Sequence, residues 1–494
     1  MNREKTRSLA MSGGLLGALL LVCLLALLPA APTGALAQSA PAPPPPAAAP
    51  RWPTGTVITE DVTVNTTWTL AGSPYQLAAN IAVAPGVTLR LDPGVTVEAD
   101  GVGLDVAGTL LAQGTMTQPV TFTGASPTPG IWDGIRIHGT AQTPNTGSML
   151  AHTVVEYGGD HLRYNLFLEY ADVSLAGGAL RHSLRDGLYA VHSTAAISGT
   201  AFSQNGGYAA LFEQASGDLD LHNLSASQNG HDGIALKSTT LTGAHTWEDG
   251  GVPYLLAGVV GVHHVGTAPG STLTIEPGVV VQSEGVGFYV EGQLQAVGTA
   301  VSPILFTADT PTAGSWDGLH IQGTAQAPNT GSTLAYVTVA YGGQYKSANL
   351  HLDWAAATIT HCTFRDAVSL GAFPVHGILA ADSTAVIRDS HFANNHDYAV
   401  YFSALSADPV LENLTAAGNG TDGIALIHSD LAGAHRWEAS GLPYYLLGQV
   451  DVLAGAELTV APGVEVRAAG SPLDVAGTLR AIGTAARPIT FTAI

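Results

Sequence analysis

The feature that most constrains this chain is that it repeats itself at long range. Trp132 and Trp316 lie 184 residues apart, and Asn145 with Asn329, Tyr157 with Tyr341 and Pro93 with Pro277 keep the same spacing. Further on the spacing becomes 190, as in Asp232 to Asp422, His245 to His435, Trp247 to Trp437 and Tyr254 to Tyr444. A third copy opens at Trp437, repeats "APGVEV" and "LDVAGTLRAIGT", and reaches "PITFTAI". Self-similarity of this kind marks a stacked array, in which each copy buries its apolar face against its neighbour.

A finer period runs inside each copy: "SQNG" at Ser203 returns at Ser227, 24 residues later. Between these turn signals lie short runs such as "VTLRL", "VTFTG", "GIRIHG" and "GIALKS", which alternate apolar with polar or small residues as half-buried strands do. No segment beyond the N-terminal leader keeps a helical period. The expectation is an all-β solenoid with parallel pairing, of roughly 19 coils, each of about 20–26 residues, with one strand spacing of rise per coil. Ile, Val, Leu, Ala and Phe would fill it, and Asn and Gly at corners would supply left-handed backbone and stacked amides.

The organisation follows from the copies and the composition. Residues 1–37 read as a signal peptide, with Arg3, Lys5 and Arg7 ahead of the apolar run Leu15 to Leu28 and "ALA" at 35–37 as the cleavage pattern. Residues 38–52 read as a Pro/Ala-rich linker. Units follow at 53–246, 247–436 and, in part, 437–494. Trp68, Trp247 and Trp437, each followed shortly by Pro-Tyr, look like joints. A solenoid ending in mid-unit at Ile494 exposes unpaired backbone, so the expectation is that the array continues or that this end docks on a partner. The reading places the chain outside the cell or on the cell surface, with no membrane span after cleavage. Only Cys362 then remains, which rules out an intramolecular disulfide. A formal charge of −21 disfavours nucleic acid, anionic lipid and polyuronates unless divalent cations intervene.

The string "TLTIEPGVVVQSEGVGFYVEGQLQAVGTAVSPILFTA", followed by "WDGLHIQGTA" and "GSTLAYVTVAYGG", resembles the right-handed parallel β-helix repeats of bacterial secreted and cell-surface proteins in the pectin-lyase-like superfamily, which implies a right-handed parallel β-helix solenoid. The resemblance covers residues 60 to 494. It implies the fold, while the superfamily's functions range from lyases and hydrolases to adhesins. The "WiDH" and "RxPxxR" strings of pectate lyases are absent. Of the polygalacturonase motifs, only partial matches occur, "GTDG" at Gly420 and "GHDG" at Gly230.

Duplication tests each candidate, because a site shared by the units must keep its residues in both. Most histidines fail: His138 faces Gln322, His152 faces Tyr336, His182 faces Asp366, His192 faces Asp382 and His231 faces Thr421. This argues against a histidine-based metal site in both units, and no cofactor is expected; Ca²⁺ has no supporting motif. Arg181 and Arg365 form the clear retained pair of cations. Retained acids are Asp133 with Asp317, Glu169 with Asp353, Asp218 with Asp408, Asp232 with Asp422, and Glu248 with Glu438.

Two functional readings follow. Asp133 and Glu169, with Asp317 and Asp353, are the candidate catalytic carboxylates for a polysaccharide-active lyase or glycoside hydrolase, although Asp before Gly also closes turns. Trp132 and Tyr157, with Trp316 and Tyr341, are candidate sugar platforms set about eight coils apart along one side of a rod, although tryptophan more often packs inside. The leading reading is a non-catalytic extracellular rod acting as a surface, adhesin-like or glycan-binding scaffold. An extracellular polysaccharide or cell-surface component is its expected partner, and the enzyme is the alternative.

Overall fold

A computed structural model describes residues 55–494 apart from 162–163, 216, 259–264, 345–346, 370, 372–373, 406–407, 469 and 471. The expected signal peptide and linker lie outside the described residues. Three short strands make each turn of chain, and every strand pairs in parallel with its counterpart one turn away. The 53 described strands make a parallel β-solenoid of about 17 turns, close to the number expected. Among the described residues the only helical element is the 3₁₀ turn Leu70–Gly72.

The alternation in the sequence sets which side chains fill the interior. Leu104, Ile135, Leu166, Leu188, Ala210, Ile234 and Tyr254 are in register on successive strands, and all are buried. Such columns of like side chains exclude water along the axis, and each buried Leu or Ile contributes about 1.5–3 kcal/mol. Asparagine forms a second internal column. The Asn165 amide donates to Asn205 at 3.5 Å and the Asn205 amide to Asn229 at 2.7 Å; Asn349, Asn395 and Asn419 repeat the arrangement at 3.1 and 2.7 Å. Asp232 and Asp422 end these ladders, each accepting from the backbone and the amide of the last asparagine.

The corners carry more than Asn and Gly. His152, Tyr157, Tyr170, His182 and His192 all adopt left-handed backbone. Ring stacking accompanies this conformation: Tyr157 lies on His182 at 4.9 Å, Tyr170 on His192 at 4.7 Å, and in the second unit Tyr336 on His361 at 4.7 Å. At the joints Trp68 stacks on Tyr75 at 4.7 Å, Trp247 on Tyr254 at 4.8 Å and Trp437 on Tyr444 at 5.4 Å.

The copies do not line up along the rod. The strand of Trp247 lies 22 strands after that of Trp68, and the strand of Trp437 a further 22 on, which is one more than seven turns of three. Each unit therefore starts one face around from its predecessor. The sheet carrying Gly134–His138 and His231–Lys237 continues into Tyr254–Ala257 and Ile304–Ala308, whose first-unit counterparts Tyr75–Leu77 and Val120–Gly124 lie in another sheet. The same switch recurs where Thr421–Ile427 pairs with Tyr444–Leu446. The expectation that Trp132 and Trp316 share one side of the rod is thereby corrected, because their following strands belong to different sheets.

Candidate functional site

The strand that follows each Trp-Asp-Gly turn aims alternate side chains outward, and parallel pairing stacks them into columns. In the first unit Asp105, Arg136, Phe167, Tyr189 and Leu211 are in register; in the second, Tyr289, His320, His351, Leu379 and Tyr401. One residue pair further along, His138 meets Glu169 and Gln322 meets Asp353. Glu169 and Asp353 therefore stand at corresponding points with different neighbours.

In the first unit the carboxylates are neutralised from within. Arg136 donates to Glu169 at 2.6 Å and approaches Asp105 at 3.5 Å, while His138 lies 3.2 Å from Asp105. Asp133 is 5% exposed and its carboxylate meets the His161 ring at 3.0 Å. The structure thus gives Asp133 and Glu169 separate partners rather than a shared space. Asp133, Asp160 and His161 present three ligand atoms within 4.8 Å of one another, as do Asp220, His222 and Glu248. Neither set recurs whole, since Gln344 and Tyr345 stand where the second copy would need Asp160 and His161, and Glu412 stands where it would need His222.

The second unit has His320 and Gln322 where the first has Arg136 and His138. The Gln322 amide donates to Glu291 at 3.0 Å, and among the described residues no cation pairs with Glu291 or Asp353. Three adjoining cavities of about 330, 240 and 370 Å³ share Glu291 in their walls. Tyr289 and Gly266 line one end, Asp353 and the 323–327 loop another, and Gln293, Ser271 and Thr272 a third. The Tyr289 ring stacks on His320 at 4.7 Å, and the strand partner on its other side is Gly266, which has no side chain. Burial, with Asp317 beside it, pushes the Tyr289 phenol up to about 12, so it remains a hydrogen-bond donor at neutral pH.

The tryptophans belong to the core. Trp132 and Trp316 are each 1% exposed, and each indole N–H donates at 2.8 Å to a backbone carbonyl, Glu156 and Ala340 respectively. A sugar reaches neither ring face. Tyr157 and Tyr341 are half-buried at left-handed corners, Tyr157 against His182 and Tyr341 beneath the Arg365 guanidinium at 5.2 Å. Other retained pairs sit in structural contacts. Arg181 meets Glu156 at 2.7 Å, His435 meets Asp408 at 2.6 Å, and His245 meets Asp218.

Sequence comparison between copies misses Tyr289, Glu291 and Gln322, because the first copy has Asp105, Ala107 and His138 there. A test that demands retention discards any site built in one unit alone. The signal that finds them is the loss of a cation beside a retained acid: Arg136 becomes His320 while Glu169 persists as Asp353.

A family model described as a pectate-lyase like beta helix domain matches residues 57–234 and 241–350. No curated protein and no solved structure matches the chain.

Proposed function

The chain belongs to the pectate-lyase-like β-helix family, and from that premise we propose that it is an exported solenoid rod that binds extracellular glycan without turning it over. The observation that carries the reading is the state of the acids in the first unit. A general acid or base must reach a substrate proton in the right protonation state. Glu169 is instead committed to Arg136 at 2.6 Å, and Asp133 lies buried against His161. A polar groove beside half-buried aromatic columns suits binding, since carboxylates and amides accept and donate to sugar hydroxyls while rings cover C–H faces. The leader pattern at residues 1–37 supports export.

A polysaccharide-active enzyme is the second reading, and one observation favours it. Glu291 and Asp353 flank the strand of Gln322, two strand spacings or about 10 Å apart, near the upper end for an inverting carboxylate pair. A screen of the secreted protein on neutral, amino and uronic glycans, with and without Ca²⁺, tests both. Binding without product supports the rod; released oligosaccharide that disappears in Glu291→Gln or Asp353→Asn overturns it in favour of the enzyme.

A further inference from the structure

We propose that the second-unit groove lined by Tyr289, Glu291, Gln322 and Asp353 is the glycan site, and that it takes an oligosaccharide carrying free amino groups, a hexosamine polymer, rather than a uronate. This rests on the glycan-binding reading and adds the place and the chemistry.

In the first unit an internal cation, Arg136, lies between Asp105 and Glu169 and satisfies both. In the second unit two carboxylates flank the central strand, Asp353 where the first unit has Glu169 and Glu291 where it has Ala107, and the residues between them are His320 and Gln322. The first copy shows what such an arrangement accepts, a cation held by charge-assisted hydrogen bonds. Where the chain supplies no cation, ammonium groups on separate sugar units of a ligand meet Glu291 and Asp353 one by one.

The rest of the groove selects a sugar over a bare ion. Its cavities, of about 330, 240 and 370 Å³, are much larger than one ion requires and suit pyranose rings. Tyr289 lines the same cavity as Gly266, which has no side chain because a Cβ there would collide with the Tyr289 backbone oxygen. Thr272, Gln293 and Thr330 line the same wall. A uronate would bring a carboxylate beside Glu291 and Asp353 with no cation between them, and like charges at this distance repel.

The test is calorimetric titration of the intact secreted protein with three hexamers: a chitosan oligosaccharide, a cello-oligosaccharide and an oligogalacturonate. The expected result is chitosan-hexamer binding at least tenfold tighter than either of the others at pH 6. The double variant Glu291→Gln with Asp353→Asn should weaken it at least tenfold, with unchanged circular dichroism. Gln322→Lys, which restores a cation from within, should also abolish it. Chitosan binding that survives both variants overturns this site while leaving glycan binding intact. Equal binding of the neutral hexamer, or binding of the uronate, overturns the assigned chemistry. If no hexamer binds and a wider glycan panel is also blank, glycan binding itself fails.

Discussion

Asp186 and His376 occupy the same position in the two copies, and each accepts the backbone N–H of the tyrosine on the next strand, Tyr208 at 2.7 Å and Tyr398 at 3.3 Å. The shared task fixes an acceptor, and the two chemistries titrate in opposite senses. Burial pushes the Asp186 carboxyl from 3.8 up to about 6, against the Tyr208 N–H, Arg185, His231 and Lys237. Burial holds the His376 ring down, from 6.5 to about 4, with Asp397 opposing and His396 assisting. Between about pH 4 and 6 the folded first unit keeps a proton that the unfolded chain has lost, so its local stability falls as pH rises through that window. His376 contributes stability that is present above about 6.5 and is lost as pH drops towards 4, where protonated Nδ1 can no longer accept. Hydrogen exchange corrected for intrinsic rate should therefore show Tyr208 better protected at pH 4.5 than at 6.5, and Tyr398 the reverse. Asp186→Asn should flatten the first trend and His376→Gln the second; both amides moving together would contradict the assignment.

The tryptophan pair makes a prediction about stability rather than binding. Trp132→Ala removes a fully buried ring and should cost about 3–5 kcal/mol. Trp132→Phe keeps most of the volume but strands the Glu156 carbonyl, at about 1–3 kcal/mol. Trp316 variants should cost the same, because its indole meets the Ala340 carbonyl in the same way. Urea unfolding checks this. A variant that loses glycan binding while keeping its unfolding midpoint would restore Trp132 as a contact residue.

The asparagine ladder is buried at Asn165 and Asn205 and half-buried at Asn229, with every member hydrogen-bonded. Asn205 donates to the Leu180 carbonyl and to Asn229, and accepts from the Ser183 N–H, all at 2.7 to 3.0 Å. Asn205→Ala removes the buried acceptor of the Ser183 N–H and a donor to the Leu180 carbonyl and should cost about 1–3 kcal/mol. Asn395→Ala breaks the homologous ladder and should cost a similar amount. Denaturation curves that barely move would mean that water replaces the amide inside the coil.

Much of the fold was legible because a solenoid is built from local rules: alternation at Thr88–Leu91 or Gly134–His138 assigns the inward side chains, and Asn205 and Asn229 recur one turn apart. The rotation between units was not legible, because homology relates Trp132 to Trp316 without saying which strand lies beside either. That depends on whether the strands between the joints fill whole turns, and one extra strand per unit is a three-dimensional remainder. The candidate site was half visible. Asp353 emerged as a retained acid, whereas Glu291 and Tyr289 gain meaning only when parallel pairing sets them beside Gln322 and His320.

Across the first joint, Tyr208 donates its hydroxyl to Glu284 at 2.6 Å, over 76 residues of sequence, and His231 lies 3.2 Å from the other carboxylate oxygen. Burial raises the Glu284 carboxyl, Asp309 raises it further, and the Tyr208 hydroxyl and His231 pull it back. Tyr208→Phe removes a short bond to an ionisable oxygen, so it should destabilise the joint by about 1.5–3 kcal/mol while Glu284 is ionised. The cost should shrink as pH falls through the Glu284 ionisation, because a neutral carboxyl loses less when its donor goes. The raised folded-state value of Glu284 means that joint stability falls with rising pH over that range, and the variant should steepen the fall. Hydrogen exchange of the Tyr254–Ala257 amides, corrected for intrinsic rate and followed at pH 5 and 7.5 in wild type and variant, reads this directly: exchange should accelerate most in the variant at pH 7.5. An acceleration independent of pH would assign the Tyr208 hydroxyl a packing role alone.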